Sequence, residues 1–295
     1  MMSVLDPHEE QEFSFPAMNS RMGGHFFESG RAQRFRRPGV TILIAASTSE
    51  GLVLAADSRT IRRSGAEGQS RLTIATNRAR KVFPLSGRVG AATHGSSQLR
   101  GQTIASLADR FRWGRSPSAS QGVTAVAGEF STFLRRLWGR HRGDASKDTP
   151  PDPVGFFVAG YDGRGPGKLY EIQLPKGEPK LLSTTEAPNY HWRGQGDAIS
   201  RLMKGCDPGF DRTRLQPEVT EMLRGLEYAV VLRHMSLQDA IDFVRLLAKV
   251  AIGIDRFTSG TLGGRPRDQV VGGRLRIAAV TPHGFQWVPR HSHIE

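Results

Sequence analysis

Thr41 stands at the head of one apolar run and Asp57 at the foot of the next, within "GVTILIAASTSEGLVLAADSRT", residues 39–60. A neutral threonine hydroxyl is a poor nucleophile and needs a base, which a free α-amino group on the same residue can supply. Such an amine titrates at about 7.7–8.0 in model peptides, so much of it can accept a proton near neutrality. Cleavage before Thr41 would create that amine, and the chemistry open to it is acyl transfer. The plainer alternative is also open: Thr is a good strand residue, and Asp57-Ser58 has the composition of a turn start. The single cysteine, Cys206 in "MKGCDPGF", has no histidine near it in sequence. It reads as a structural or incidental thiol rather than a nucleophile, it excludes an internal disulfide, and it suits a reducing compartment.

The elements that must position these groups follow from the hydrophobic pattern. "TILIAAS" and "GLVLAAD" are continuous apolar runs of strand length, as expected where both faces are covered. "RKVFPL" and "RVGAATHG" form a second pair around Ser86-Gly87. Two helices come next: Leu99, Ile104, Leu107, Ala108 and Phe111 recur at helical spacing, as do Val126, Phe130, Phe133, Leu134, Leu137 and Trp138. After the loop "GDASKDTPPDP", the stretches "VGFFVAGYD", "GKLYEIQLP" and "PKLLSTTE" read as a strand meander. Helices are expected over about 197–204, 218–233 and 237–253, the last opened by a "SLQD" cap, and "RLRIAAVT" with "GFQWVP" makes a final hairpin. Two sheets between two helical layers satisfy this order, so the expected fold is α+β, a four-layer αββα sandwich formed by residues 41–295 as a single domain. Residues 1–40 show neither periodicity and balance their own charges, which predicts a flexible or removable leader ending at Pro38-Gly39.

Composition narrows the function classes. The longest apolar stretches are far shorter than the roughly 20 residues a membrane helix needs, and "MMSVLDPHEEQEF" is acidic where a secretory signal is basic and then apolar. These features predict a cytoplasmic protein without a membrane partner. The net charge of +13 invites nucleic acid. Only seven of the 41 basic residues are Lys, the Arg residues scatter along helices as in "RRLWGRHR", and no nucleic-acid motif accompanies them. A solvated basic surface is the expectation, and nucleic acid an unlikely partner.

At this point the chain resembles the proteasome β-subunit family and its bacterial relatives among the N-terminal-nucleophile hydrolases. "TILIAASTSEGLVLAADSRT" is similar to that family's opening hairpin, with Thr41 as nucleophile and Asp57 as the acid before an Arg-bearing turn. "ARKVFPL" is similar to the segment of the active-site lysine, which falls on Lys81; "GAATHGSS" places the oxyanion-binding backbone N–H on Gly95. "DAIDFVRLLAKVAIGID" resembles a late helix, after which "D-x-x-T" gives Asp255 and Thr258, with Ser259 the competing hydroxyl, to hold the new N-terminus. The resemblance covers about residues 41–288 and implies an N-terminal-nucleophile fold and a threonine-type endopeptidase subunit, self-processed before Thr41. It also implies peptide or unfolded-protein substrate, a ring-like assembly of identical or related subunits, a possible ATPase partner, no metal and no cofactor.

The sequence departs from the family pattern in three places. Val40, not Gly, precedes Thr41, and a β-branched residue restricts the tight turn of self-cleavage; a register shifted by one would put Val40 at the nucleophile. Gln195 in "RGQGD" replaces a serine, and an amide can hydrogen-bond but cannot relay a proton as a hydroxyl does. The segment between Asp57 and Lys81 is longer than usual. Two other readings therefore stand beside the enzyme: a non-catalytic structural subunit that keeps its leader, and a binding protein that uses its basic surface.

Overall fold

The computed structural model describes residues 41–64, 71–114, 122–144, 153–208, 215–259 and 268–289. The expected leader of residues 1–40, Val40 included, lies outside the described residues. The two runs that frame Thr41 and Asp57 form an antiparallel hairpin of β1 (Ile42–Ser47) and β2 (Leu52–Ala56), in which every residue is buried. Their unbroken apolar character has a direct cause, since each face meets a different cluster. Leu43, Ala45, Leu52, Leu54 and Ala56 enter one, and Ile42, Ile44, Ala46, Val53 and Ala55 enter another.

Around this hairpin, β12 (Tyr190–Gly194) pairs with β1, while β13 (Arg276–Thr281) and β14 (Gly284–Trp287) extend the β2 side, giving the order β12-β1-β2-β13-β14. A second five-stranded sheet has the order β11-β10-β9-β6-β5, built from β5 (Val82–Pro84), β6 (Val89–Gly95), β9 (Val154–Tyr161), β10 (Gly167–Gln173) and β11 (Lys180–Thr184). Every strand pair in both sheets is antiparallel. Val82, Ala92, Phe157, Ala159 and Leu169 of the second sheet share a cluster with the first-named face of the β1–β2 hairpin. The far side of the second sheet, with Phe83, Ala91, Phe156 and Val158, packs on α1 (Ile104–Trp113) and α2 (Val123–Asp144). The other face of β1 and β2 packs on α3 (Asp197–Lys204) and α5 (Leu237–Phe257). Burying each such Leu, Ile, Val or Phe side chain contributes about 1.5–3 kcal/mol.

The expected four-layer αββα sandwich needs correction. Among the described residues the antiparallel strands are distributed over four sheets, because β3 (Thr60–Ser64) with β4 (Arg71–Thr76) and β7 (Gln98–Leu99) with β8 (Gln102–Thr103) form two separate hairpins. Of the five α-helices among the described residues three have ten residues or fewer, and α4 (Pro217–Gly225) buries no residue at all. A layer scheme drawn from apolar periodicity counts only elements with a buried face. The Arg-rich β3 and the polar β8 carry no such signal, α4 has no face to contribute, and Leu99, expected in the first helix, instead lies buried in the two-residue β7, the helix beginning only at Ile104. The helix expected over 218–233 ends at Gly225, and only a single 3-10 turn follows at Leu232–His234. The "SLQD" cap of α5 forms as a capping box: the Ser236 hydroxyl accepts from the Asp239 N–H, and the Asp239 carboxylate accepts from the Ser236 N–H.

Candidate active site

Thr41 immediately precedes β1, and Asp57 immediately follows β2, so the hairpin register sets them side by side. The Asp57 N–H donates to the Ile42 carbonyl at 3.3 Å, and its carboxylate Oδ1 turns back to accept from the Ile42 N–H at 3.1 Å. From the second sheet, Lys81 at the start of β5 reaches across. Its Nζ donates to Asp57 Oδ1 at 2.8 Å and to Thr41 Oγ1 at 2.9 Å. All three groups are withdrawn from water, at 2%, 1% and 6% exposure for Thr41, Asp57 and Lys81.

The remaining Asp57 oxygen, Oδ2, accepts from the backbone N–H groups of Arg59 and Gly272, each at 3.1 Å. Burial pushes the Asp57 carboxyl up, against the opposing charge and hydrogen bond of Lys81. Burial likewise pulls the Lys81 ammonium below the ordinary lysine range; Asp57 opposes this, and the charge of Arg59 adds to it. With four donors on its two oxygens Asp57 is fully satisfied as an anion, and it holds Lys81 at the threonine hydroxyl. Because Lys81 donates to Thr41 Oγ1, the hydroxyl's own proton is left to point at a different acceptor.

The peptide that follows Thr41 is clamped from the other edge. The Gln195 N–H donates to the Thr41 carbonyl at 2.8 Å, one step beyond the Ile42–Gly194 pair of β1 with β12. Gly194 has φ +87°, and a Cβ there would overlap the Thr41 carbonyl oxygen; only glycine lets the chain pass so close in that conformation. Gly95, at the end of β6, also has a positive φ, +87°, and a Cβ would overlap the Pro153 carbonyl.

Lys81 thus bridges Thr41 and Asp57, and the Asp57 carboxylate is tied to the peptide that follows Thr41. Thr258 has another use: its hydroxyl donates to the Ile254 carbonyl at 2.7 Å and finishes α5, and both Thr258 and Ser259 are exposed. Asp255 accepts from the Val271 N–H at 2.8 Å, and burial raises its carboxyl. It thereby fixes the segment whose next residue, Gly272, donates to Asp57. The Gly272 carbonyl in turn accepts from Ser58 and Arg59, and the buried Ser58 hydroxyl donates to the Asn77 carbonyl at 2.7 Å and accepts from the Arg274 N–H. Sequence reasoning missed Gly272 and Ser58. The adjacent glycines of "VVGGRLR" were the available signal, since paired glycines mark close backbone approach. Among the described residues no group of three or more His, Cys, Asp or Glu could hold a metal ion. Nor is any helix among them long and apolar enough to cross a membrane.

No known family's model matches the chain, and no curated protein matches it. The resemblance to the proteasome β-subunit family drawn from the motifs is corrected accordingly, because no sequence comparison carries it. The likeness that exists is one of fold. A solved structure described as the helical assembly of the Anbu complex from Pseudomonas aeruginosa superposes with a TM-score of 0.52 at 17% identity, over 84% of this chain and 87% of that one.

Proposed function

We propose that this chain is a threonine peptidase that works after cleavage before Thr41. The observation that carries the reading is the buried contact of Lys81 Nζ with both Thr41 Oγ1 and Asp57 Oδ1. A solvent-excluded lysine held on a threonine hydroxyl has a ready use if that hydroxyl must become an alkoxide. The cation stabilises the developing negative charge, and low polarity around it strengthens the effect.

In the processed chain the α-amine and Oγ1 sit three bonds apart on one residue. The amine takes the hydroxyl proton as Oγ1 attacks a peptide carbonyl, and the resulting ammonium gives that proton to the departing amine of the substrate. The ester left on Thr41 is then hydrolysed by water that the same amine deprotonates. Asp57 keeps Lys81 charged and aimed. The Gly95 N–H is our candidate for the oxyanion donor, a contact typically worth about 10²–10³ in rate. Asp255 acts at one remove, through the 271–272 backbone.

Self-assembly belongs to the same proposal. The Anbu structure is an assembly of subunits with this fold, and exposed Met222, Leu226, Tyr228 and Val231 on and after α4 provide apolar surface that an assembled state would cover. The catalytic reading is tested with a fluorogenic peptide and a peptide boronate. The account expects hydrolysis blocked by one boronate per chain, with the adduct on Thr41 and none in Thr41→Ala. Hydrolysis that persists in Thr41→Ala contradicts it.

A further inference from the structure

The Thr258 hydroxyl is exposed and donates to the Ile254 carbonyl, whereas the buried groups bonded around Thr41 are the ones that can seat the α-amine of a processed chain. Gln195 is the residue directly opposite Thr41: it is 7% exposed, and its N–H already holds the Thr41 carbonyl. Its side-chain Nε2 donates to Asp197 Oδ1 at 3.1 Å. A carboxylate only accepts, so Asp197 dictates which way the amide faces: Nε2 toward itself and Oε1 away from it. Asp197 opens α3, whose N-cap, Gly196, offers no side chain of its own.

Resting on the peptidase reading, we propose that Gln195 and Asp197 are positioning residues for the Thr41 amine. Gln195 Oε1 accepts from the amine, and Asp197 locks the amide in that orientation and adds negative charge nearby. An amide clamps the amine and a carboxylate two residues on supplies the field. Other charges face the same place. Burial and the charge of Asp197 raise the Asp255 carboxyl of α5, its backbone hydrogen bonds and Arg59 oppose that rise, and Lys81 with Asp57 stands on the hydroxyl side.

The sign follows. Negative charge beside an ammonium favours the protonated form, so Asp197 holds the amine's pKa up. The amine must be neutral to act as base, and the acid limb of kcat/KM marks its loss of a proton. In Asp197→Asn the limb should move down by at least about half a pH unit, with kcat falling while KM holds. In Gln195→Glu it should move up, and Asp197→Glu should restore the wild-type limb. Asp207→Asn, which removes an exposed partner of Arg201 at the far end of α3, should leave it in place.

Competitive acetylation of the Thr41 amine across pH, read by mass spectrometry, gives the same pKa without any need for turnover. Intact mass of the wild-type chain comes first: a chain still joined to Val40 overturns both this inference and the peptidase reading. A processed, active wild type whose amine pKa is unmoved in either Asp197→Asn or Gln195→Glu overturns this inference alone.

Discussion

Lys81 is the residue on which the proposed chemistry and stability meet, because its ammonium contacts both Thr41 Oγ1 and the buried Asp57. Lys81→Met keeps the bulk and removes the charge. It leaves Asp57 with three backbone N–H groups and no cation, and breaking a buried pair in this way costs about 3–5 kcal/mol. Urea denaturation should show that loss, and peptide hydrolysis by the folded fraction should fall by about 10²–10³, the scale of one electrostatic donor at a developing oxyanion. The pH dependence has a definite sign. Burial lowers the Lys81 pKa, so its charge is lost at a lower pH than for an ordinary lysine. Activity that needs the ammonium therefore declines on the alkaline side before an ordinary lysine would titrate, and that limb should move upward in Lys81→Arg. An alkaline limb that stays put in Lys81→Arg would assign it to some other group.

At the scale of elements the site is a product of register. Thr41 and Asp57 meet because they flank the two strands of one hairpin, and Lys81 meets them because β5 lies in the sheet that faces it. The pattern itself shows two unbroken apolar runs with polar residues at matching ends; Lys81 enters only through the motif resemblance, since on its own it reads as a strand-edge lysine. What fixes the other edge is not legible in the sequence. β12, "YHWRG", is a short, half-exposed edge strand whose alternation is only two aromatics long, Tyr190 and Trp192, and such a signal is as weak as that of the Arg-rich hairpin of β3 and β4. Yet β12 brings Gly194 close past the Thr41 carbonyl and leads into Gln195, whose N–H donates to it. The helix read over 218–233 overran for a related reason, since apolar residues such as Met222, Leu226 and Val231 continue past Gly225 while remaining exposed. Thr258 was placed by motif spacing, which cannot tell a hydroxyl aimed at a site from one that closes a helix. Gly194→Ala tests the edge clamp: a positive φ on a non-glycine residue costs about 1–2 kcal/mol, and the added methyl displaces the Thr41 peptide. Hydrolysis by the folded fraction should drop much further than the stability lost to strain and overlap together, and equal losses in both would deny β12 any special part in seating Thr41.

For the whole molecule, the fold likeness at 17% identity speaks to architecture, and the chemistry rests on the buried trio. The net charge of +13 lies over a surface that also exposes Trp113, Met222, Tyr228 and Phe257, a combination suited to contacts between subunits or with acidic partners. Sedimentation velocity should show a species well above the 32.4 kDa of one chain, whereas a strictly monomeric protein that still hydrolyses peptides would separate activity from assembly. The sequence expectation of a leader before Thr41 bears most directly on the mechanism, because only its removal creates the amine. Intact mass spectrometry of the wild type beside Thr41→Ala tests this. The account predicts a wild-type chain that begins at Thr41 and a variant that retains residues 1–40. A wild type that hydrolyses peptides with Val40 still joined to Thr41 would contradict it.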